Sequence, residues 1–325
     1  MDPDFTLPVI RTRQAILDTG LCDNEIRHAL AAGTLVRIRR GCYGDGVPAD
    51  GEGTQAGKAS GERGSETLAP RVAAAAIRLG DGHVFSHATA AALWGLPFLG
   101  DPSETIHVTV PRTAHGCRRA MVHQHPGALL PEEIVVRQGI RITGLARTLV
   151  DVARTEGFRP GVVMADHALR LSPDPEGLMG AMRVSIGRLK GASGIGEARR
   201  MALFATGAAE SPGESLSRIV LSEQHVPIPQ LQYRLTLSMP GGRRQTYRTD
   251  FAWERQKVIG EFDGRTKYER YRRRGETPGD VVFREKVRED AIRAAGWLVV
   301  RWTWEDLTRP DQLGRRLRDV LAGRS

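Results

Sequence analysis

Along this chain apolar positions recur at helical spacing in some stretches and alternate at strand spacing in others, and the two patterns change places often. Residues 11–19 carry Ala15, Ile16 and Leu17 and are stopped by Gly20, which predicts a first helix. Asp23 is a good N-cap for a second helix, which carries Ile26, Ala29 and Leu30 and ends at Gly33. Residues 35–43 then alternate apolar and cationic side chains, as a half-exposed strand does, with Arg37 and Arg39 on one face. Two helices at a tight turn followed by a basic hairpin predict a winged helix over 1–50. In the middle of the chain, 68–79 predicts an Ala-rich helix, and 86–95 a second one capped by Ser86 and stopped at Gly95. Residues 106–110 predict a strand, and 148–153 begin another helix.

The last third opens on a helix from Ser211, with Leu216, Ile219 and Val220 on one face. Strands follow over 231–237 and 245–253 around Gly241-Gly242, then an acidic strand over 257–262. An amphipathic helix over 281–295 leads to a buried strand over 296–302, in which Trp297 and Trp302, with Trp304 just beyond, are core residues. Helices on both sides of a mixed sheet make this an α/β unit, and the chain is α/β overall.

Residues 51–65 break the pattern. They are polar and Gly-rich, cannot bury enough apolar area to order themselves, and predict a flexible linker. A second joint falls near Thr206, where a helical pattern gives way to Ser211-Pro212. The expected organisation is therefore a winged helix over 1–50, a linker over 51–65, an α/β scaffold or interaction module over 66–205, and an α/β domain over 206–325.

Charge sharpens this picture. The 325 residues hold 47 Lys+Arg against 38 Asp+Glu, a net +9, which favours a polyanionic partner and DNA above all. Residues 206–325 hold 23 of the cations against 17 acids. Cys22, Cys42 and Cys117 are too few and too scattered for a disulfide framework or a zinc site, so reduced thiols are expected. No apolar run approaches the ~20 residues of a membrane span, and the N-terminus lacks a basic-then-apolar leader. The expected location is the cytoplasm, away from any membrane.

Candidate chemistry gathers where two strands end. Asp250 closes one strand, and Glu261 and Asp263 point the same way from the next. Converging carboxylates suit a hard divalent cation, Mg²⁺ or alternatively Mn²⁺, and beside a basic surface they point to phosphodiester hydrolysis. Arg270, Arg272, Arg273 and Arg274 follow in a loop suited to gripping backbone phosphates. In the winged helix, Asn24, Arg27 and His28 would face a major groove while Arg37, Arg39 and Arg40 hold phosphates. His87, His107, His115, His123 and His125 also invite a metal reading. Yet His123 and His125 lie on a strand without carboxylate or thiol partners at ligand spacing, which favours a scaffold role.

Glu214 on the first helix, Asp250, Glu261-Phe262-Asp263-Gly264, and the closing Gly296-Trp297-Leu298-Val299-Val300-Arg301-Trp302 together resemble the DUF559 group. That group is similar to the very-short-patch-repair branch of the PD-(D/E)XK nuclease superfamily, whose fold is a restriction-endonuclease-like mixed sheet. Residues 1–50, with the Ser86–Pro97 stretch behind them, resemble the winged-helix domain of AbiEi-type antitoxins, and the whole arrangement resembles an actinobacterial group. The resemblance implies Asp250 and Glu261 as metal ligands and Glu214 as an accessory acid, although Ser211-x-x-Glu214 also reads as a capping box. Asp263 departs from it, standing where the superfamily places Lys. It would serve as a third metal ligand, with Lys286 or Lys267 supplying the cation that stabilises charge on the phosphate. The antitoxin likeness implies a second reading, a non-enzymatic regulator with a degenerate nuclease fold, and admits a homodimer or a toxin partner.

Overall fold

The structure, a computed structural model, describes residues 5–46, 60–80, 82–100, 105–111, 118–119, 121–238, 244–264 and 278–324. The chain divides into two compact units, Met1–Ala205 and Thr206–Ser325, and the architecture is α/β throughout.

The first unit opens with β1 (Ile10–Thr12), α1 (Arg13–Leu17), α2 (Asp23–Ala31), β2 (Leu35–Arg39) and β3 (Cys42–Asp45). The three strands form an antiparallel sheet in the order β1-β3-β2. Residues 11 and 12, expected in a helix, belong to β1: Arg11 pairs with Tyr43, and the Thr12 side chain caps α1 by accepting from the Ala15 amide at 3.0 Å. The α2 cap is Cys22, not Asp23, and the Glu25 carboxylate returns to the Cys22 amide at 2.7 Å. Asp23 sits instead in the first turn, where it meets Arg13. Ile16, Ile26 and Tyr43 fill the small core between helices and sheet.

Helix α3 (Ser60–Leu79) begins well before residue 68. Residues 60–65, expected in a linker, are therefore helical, and 51–59 lie outside the described residues. Once Leu68, Val72 and Ala75 bury one face, the helix extends towards its N-terminus without a new nucleation cost, past Pro70, which itself donates no backbone hydrogen bond. Helix α3 touches the three-stranded sheet and also α4 (His87–Leu93), joining the segments read as separate domains. A second link is a clasp: the Gln138 side chain accepts from the Leu7 amide at 2.8 Å and donates to the Phe5 carbonyl.

A six-stranded sheet follows, built from β4 (Val84–Phe85), β5 (Ile106–Val110), β6 (Arg118–Arg119), β7 (Val122–Pro126), β8 (Ile134–Arg137) and β9 (Ile140–Thr143), in the order β6-β7-β5-β4-β9-β8. Four helices complete the unit: α5 (Leu145–Glu156), α6 (Phe158–Leu171), α7 (Pro175–Arg188) and α8 (Ile195–Phe204). Leu149, Val150 and Val152 make α5 the buried centre of this group.

The second unit runs α9 (Pro212–Glu223), β10 (Gln230–Ser238), β11 (Arg244–Trp253), β12 (Val258–Phe262), α10 (Pro278–Ala294), β13 (Leu298–Trp302), α11 (Trp304–Leu307) and α12 (Pro310–Ala322). Its sheet is β10-β11-β12-β13, antiparallel until the parallel β12–β13 pair. Alternation sorts the side chains. Phe251, Val258, Phe262 and Trp302 pack with α9 and α12 residues, while Ala252, Ile259 and Trp297 pack with Ile292 of α10. The closing strand is not buried as expected. It is the sheet edge, so Leu298 and Arg301 are exposed and Trp302 alone is fully buried. Trp304 is likewise 43% exposed, set edge-on against Phe262. Among the described residues no helix is long and apolar enough to cross a membrane.

Candidate functional site

Three groups of side chains bear on function. In the first, α2 presents Asn24, Arg27 and His28 to solvent, with Arg27 donating to the Asn24 side chain. The β2–β3 hairpin turns at Arg40-Gly41, where Gly41 takes φ +77°, a conformation that favours glycine. A register shift between Arg37 and Arg39 sets them opposite Tyr43 and Cys42, and interrupts the strict alternation expected of this strand. Arg37 and Arg40 are exposed, and Arg39 is half-buried. None of the three forms an ion pair with another described residue, whereas Arg11 and Arg13 are tied to Asp45 and Asp23.

The second group lies in the C-terminal unit. Glu261 follows Gly260, the partner of Phe251, and alternation from Ile259 sends it to the α10 face of the sheet. There Glu261 meets Arg288 at 2.5 Å and Arg301 at 3.2 Å. Arg301 also binds Glu289 at 2.9 Å, and that hydrogen bond holds the Glu289 carboxyl below its usual range. Asp250 Oδ2 accepts from the Phe262 amide at 2.9 Å. Asp263 follows the strand end, with its amide on the Trp302 carbonyl at 2.8 Å.

The carboxylates of Asp250, Glu261 and Asp263 are not a group whose oxygens all lie within 4.8 Å of one another. Glu261 is drawn to guanidinium groups and Asp250 to a backbone amide. Lys286 is exposed and does not meet these acids; helix phase turns Arg288 inward instead. Val287, expected on the inner face, is 40% exposed, and Ile292 takes that role. Lys267, Arg270, Arg272, Arg273 and Arg274 lie outside the described residues.

Glu214 is buried in a cap. Ser211 Oγ donates to its Oε1 at 2.8 Å, while Oε2 receives the Glu210 amide and the Gln232 side chain, each at 2.9 Å. Gln232 holds φ +51°, which is costly for a side-chain-bearing residue.

The third group is one that sequence reasoning set aside. Strands β5 and β7 pair in parallel, with His107 opposite His123 and Thr109 opposite His125. His107 Nδ1 lies 3.0 Å from His125 Nε2, and the His87 ring stacks on His125 with centroids 3.7 Å apart. His87 is buried, and burial, aided by the charges of His107, Arg154, Arg147 and His123, holds it well below the usual imidazole range. Burial first and the neighbouring imidazoles second push His125 down to about 3.

His87, His123 and His125 line a cavity of about 940 Å³ together with Thr109, Arg147, Asp151 and Arg154. Arg147 is bound to Asp151 at 2.9 Å and to Glu133 at 3.1 Å, and Arg154 reaches Asp151 at 2.9 Å. Desolvation raises the fully buried Asp151 carboxyl despite both guanidinium groups. The sequence signal was His123-x-His125, which places two rings on one strand face; the arrival of His107 depends on non-local pairing.

Fold and sites together define an α/β protein of two units, one with a basic hairpin and a histidine-lined cavity, the other with an arginine-clamped acid. No family model matches the chain. It is 30% identical over 255 residues to the "Uncharacterized protein Rv2248" of Mycobacterium tuberculosis strain H37Rv, covering 77% of this chain and 85% of that one. The same figures hold for "Uncharacterized protein MT2308" of strain CDC 1551. The chain belongs to the family of these mycobacterial proteins. Among solved structures, the RV2827C protein of the same organism superposes with a TM-score of 0.38 at 18% identity, covering 65% of this chain and 75% of that one.

Proposed function

We propose that this chain is a cytoplasmic protein that binds duplex DNA through its N-terminal hairpin and α2. The observation that supports this most is the set of Arg37, Arg39 and Arg40, which have no anionic partner among the described residues and sit beside a solvent-facing helix. Cations left unpaired on a protein of net +9 are suited to phosphates, whose neutralisation releases counterions. Asn24, Arg27 and His28 would read base edges in the major groove. The test uses the full chain, because α3 and the Gln138 clasp tie this segment to the rest of its unit. Replacing Arg37, Arg39 and Arg40 with Ala should weaken binding uniformly across sequences. The log–log salt slope should fall by about 0.9 for each lost contact. Unchanged affinity and slope would remove the proposal.

For the C-terminal unit the clamped Glu261 favours the regulator reading, a nuclease-like fold retained without cleavage. Mg²⁺- or Mn²⁺-dependent hydrolysis, with Asp250 and Glu261 as ligands and Asp263 as a third, would first require Glu261 to leave Arg288 and Arg301. Plasmid incubated with Mg²⁺, Mn²⁺ or EDTA separates the two. Intact plasmid under every condition supports the regulator, and metal-dependent nicking abolished by Asp250→Ala supports the nuclease.

A further inference from the structure

We propose that His107, His123 and His125 form a site for a borderline divalent transition-metal ion, Zn²⁺ foremost. Among the described residues they are the one group of three or more His, Cys, Asp or Glu whose ligand atoms all lie within 4.8 Å of one another. The sheet builds this directly. Alternation puts His123 and His125 on one face of β7, and the parallel register brings His107 alongside on β5.

Two imidazole nitrogens bound ~2.0–2.1 Å from one tetrahedral ion lie about 3.3 Å apart. The 3.0 Å between His107 Nδ1 and His125 Nε2 is close to that separation. An all-imidazole set selects Zn²⁺, Co²⁺, Ni²⁺ or Cu²⁺ over Mg²⁺, which prefers oxygen. His87, stacked on His125 and hydrogen-bonded through Nδ1 to Ser86 Oγ at 2.8 Å, fixes the orientation of a ligand ring from behind.

A second observation points to a ligand at the same place. Thr109, 3% exposed, lines the cavity opposite His125 in the sheet register, and its Oγ1 has no hydrogen-bond partner. A buried hydroxyl left unsatisfied is unfavourable, and a water or anion in the ion's fourth position would satisfy it. Arg147 and Arg154 oppose a cation. Their charges, however, are bound by Asp151 and Glu133, and both line the same cavity, where an anionic fourth ligand would be welcome. Three protein ligands with one position open to a cavity is the arrangement of a reactive rather than a purely structural ion.

The test is independent of DNA binding. Full-length, chelator-treated protein is titrated with Co²⁺ and followed by visible absorption, with Zn²⁺ as competitor. A saturable band at one equivalent, displaced by Zn²⁺, is expected. His123→Gln and His125→Gln should each weaken Co²⁺ binding at least about tenfold, the smaller loss seen when even outer-shell partners are removed. His225→Asn, on an exposed residue of the other unit, should leave it unchanged. Absence of a saturable band, or equal uptake by wild type and both Gln variants, overturns the site. Should a variant unfold, hydrogen exchange of the wild type decides. Slowed exchange in 106–110 and 122–126 on adding Zn²⁺ supports the proposal, and unchanged exchange there refutes it.

Discussion

Arg147 is 4% exposed yet binds Asp151, Glu133 and the Ala128 carbonyl. Removing one partner of such a network leaves buried charge uncompensated, so Arg147→Ala should cost about 3–5 kcal/mol in urea unfolding of the first unit. Arg147→Lys should recover little of this, because a point charge cannot span three acceptors in a fixed fork. A loss below about 1 kcal/mol would mean that the network contributes little. The sequence displays Arg147 and Asp151 four apart on a helix, but not that the pair is buried, nor that Glu133 joins it. The same holds at Glu261. That Asp250 and Glu261 lie on neighbouring strands was legible, because each strand shows in its local pattern. The identity of its cationic partners was not, because helix phase turned Arg288 inward and left Lys286, two residues earlier, exposed.

Strand β12 shows how closely one element can be specified. A Cβ on Gly260 would lie 2.5 Å from the Trp302 ring and 3.2 Å from the Phe251 Cβ. Trp302 cannot withdraw easily, since its indole N–H donates to Ser217 Oγ at 2.8 Å from a fully buried position. Gly260→Ala should therefore destabilise the second unit by about 1–3 kcal/mol, read as a lower urea midpoint by tryptophan fluorescence. An unchanged midpoint would show that the ring has room to move. Long elements with a sustained period were readable from the chain: α2, α9, β10, β11 and β12 all lie where the pattern placed them, within a few residues. Three-residue β1 was not, because so short a strand shows no period. The apolar run of β13 suggested burial on both sides, whereas its place at the sheet edge leaves one flank in solvent.

Across the whole molecule, acid should act unevenly on the two units. Burial first, and then the charges of His107, Arg154, Arg147 and His123, make His87 titrate in the folded chain well below 6.5, its usual value when unfolded. A depressed folded value means that the stabilisation is present above about pH 6.5 and is lost as pH falls through that point. The unfolded state then binds one more proton, so His87 alone removes up to about 1.4 kcal/mol per pH unit. His125 acts in the same direction down to about 3. Between pH 7.5 and 5.5, hydrogen exchange corrected for intrinsic rate should accelerate in 84–204 while 212–322 changes little. His87→Asn should flatten the difference, and equal acceleration in both units would exclude the histidines as its source.

The clasp made by Gln138 has a consequence for the order of events during synthesis. Its side-chain amide accepts from the Leu7 main chain and donates to that of Phe5, so it reads the path of the arm rather than its side chains, across 131 positions. The arm cannot dock until the β8–β9 turn has left the ribosome, by which time the basic hairpin has long been outside. At about 5–20 residues per second that interval lasts several seconds. Throughout it the nascent chain displays its cationic hairpin without the anchor that later secures it, at a time when polyanionic RNA is the nearest surface.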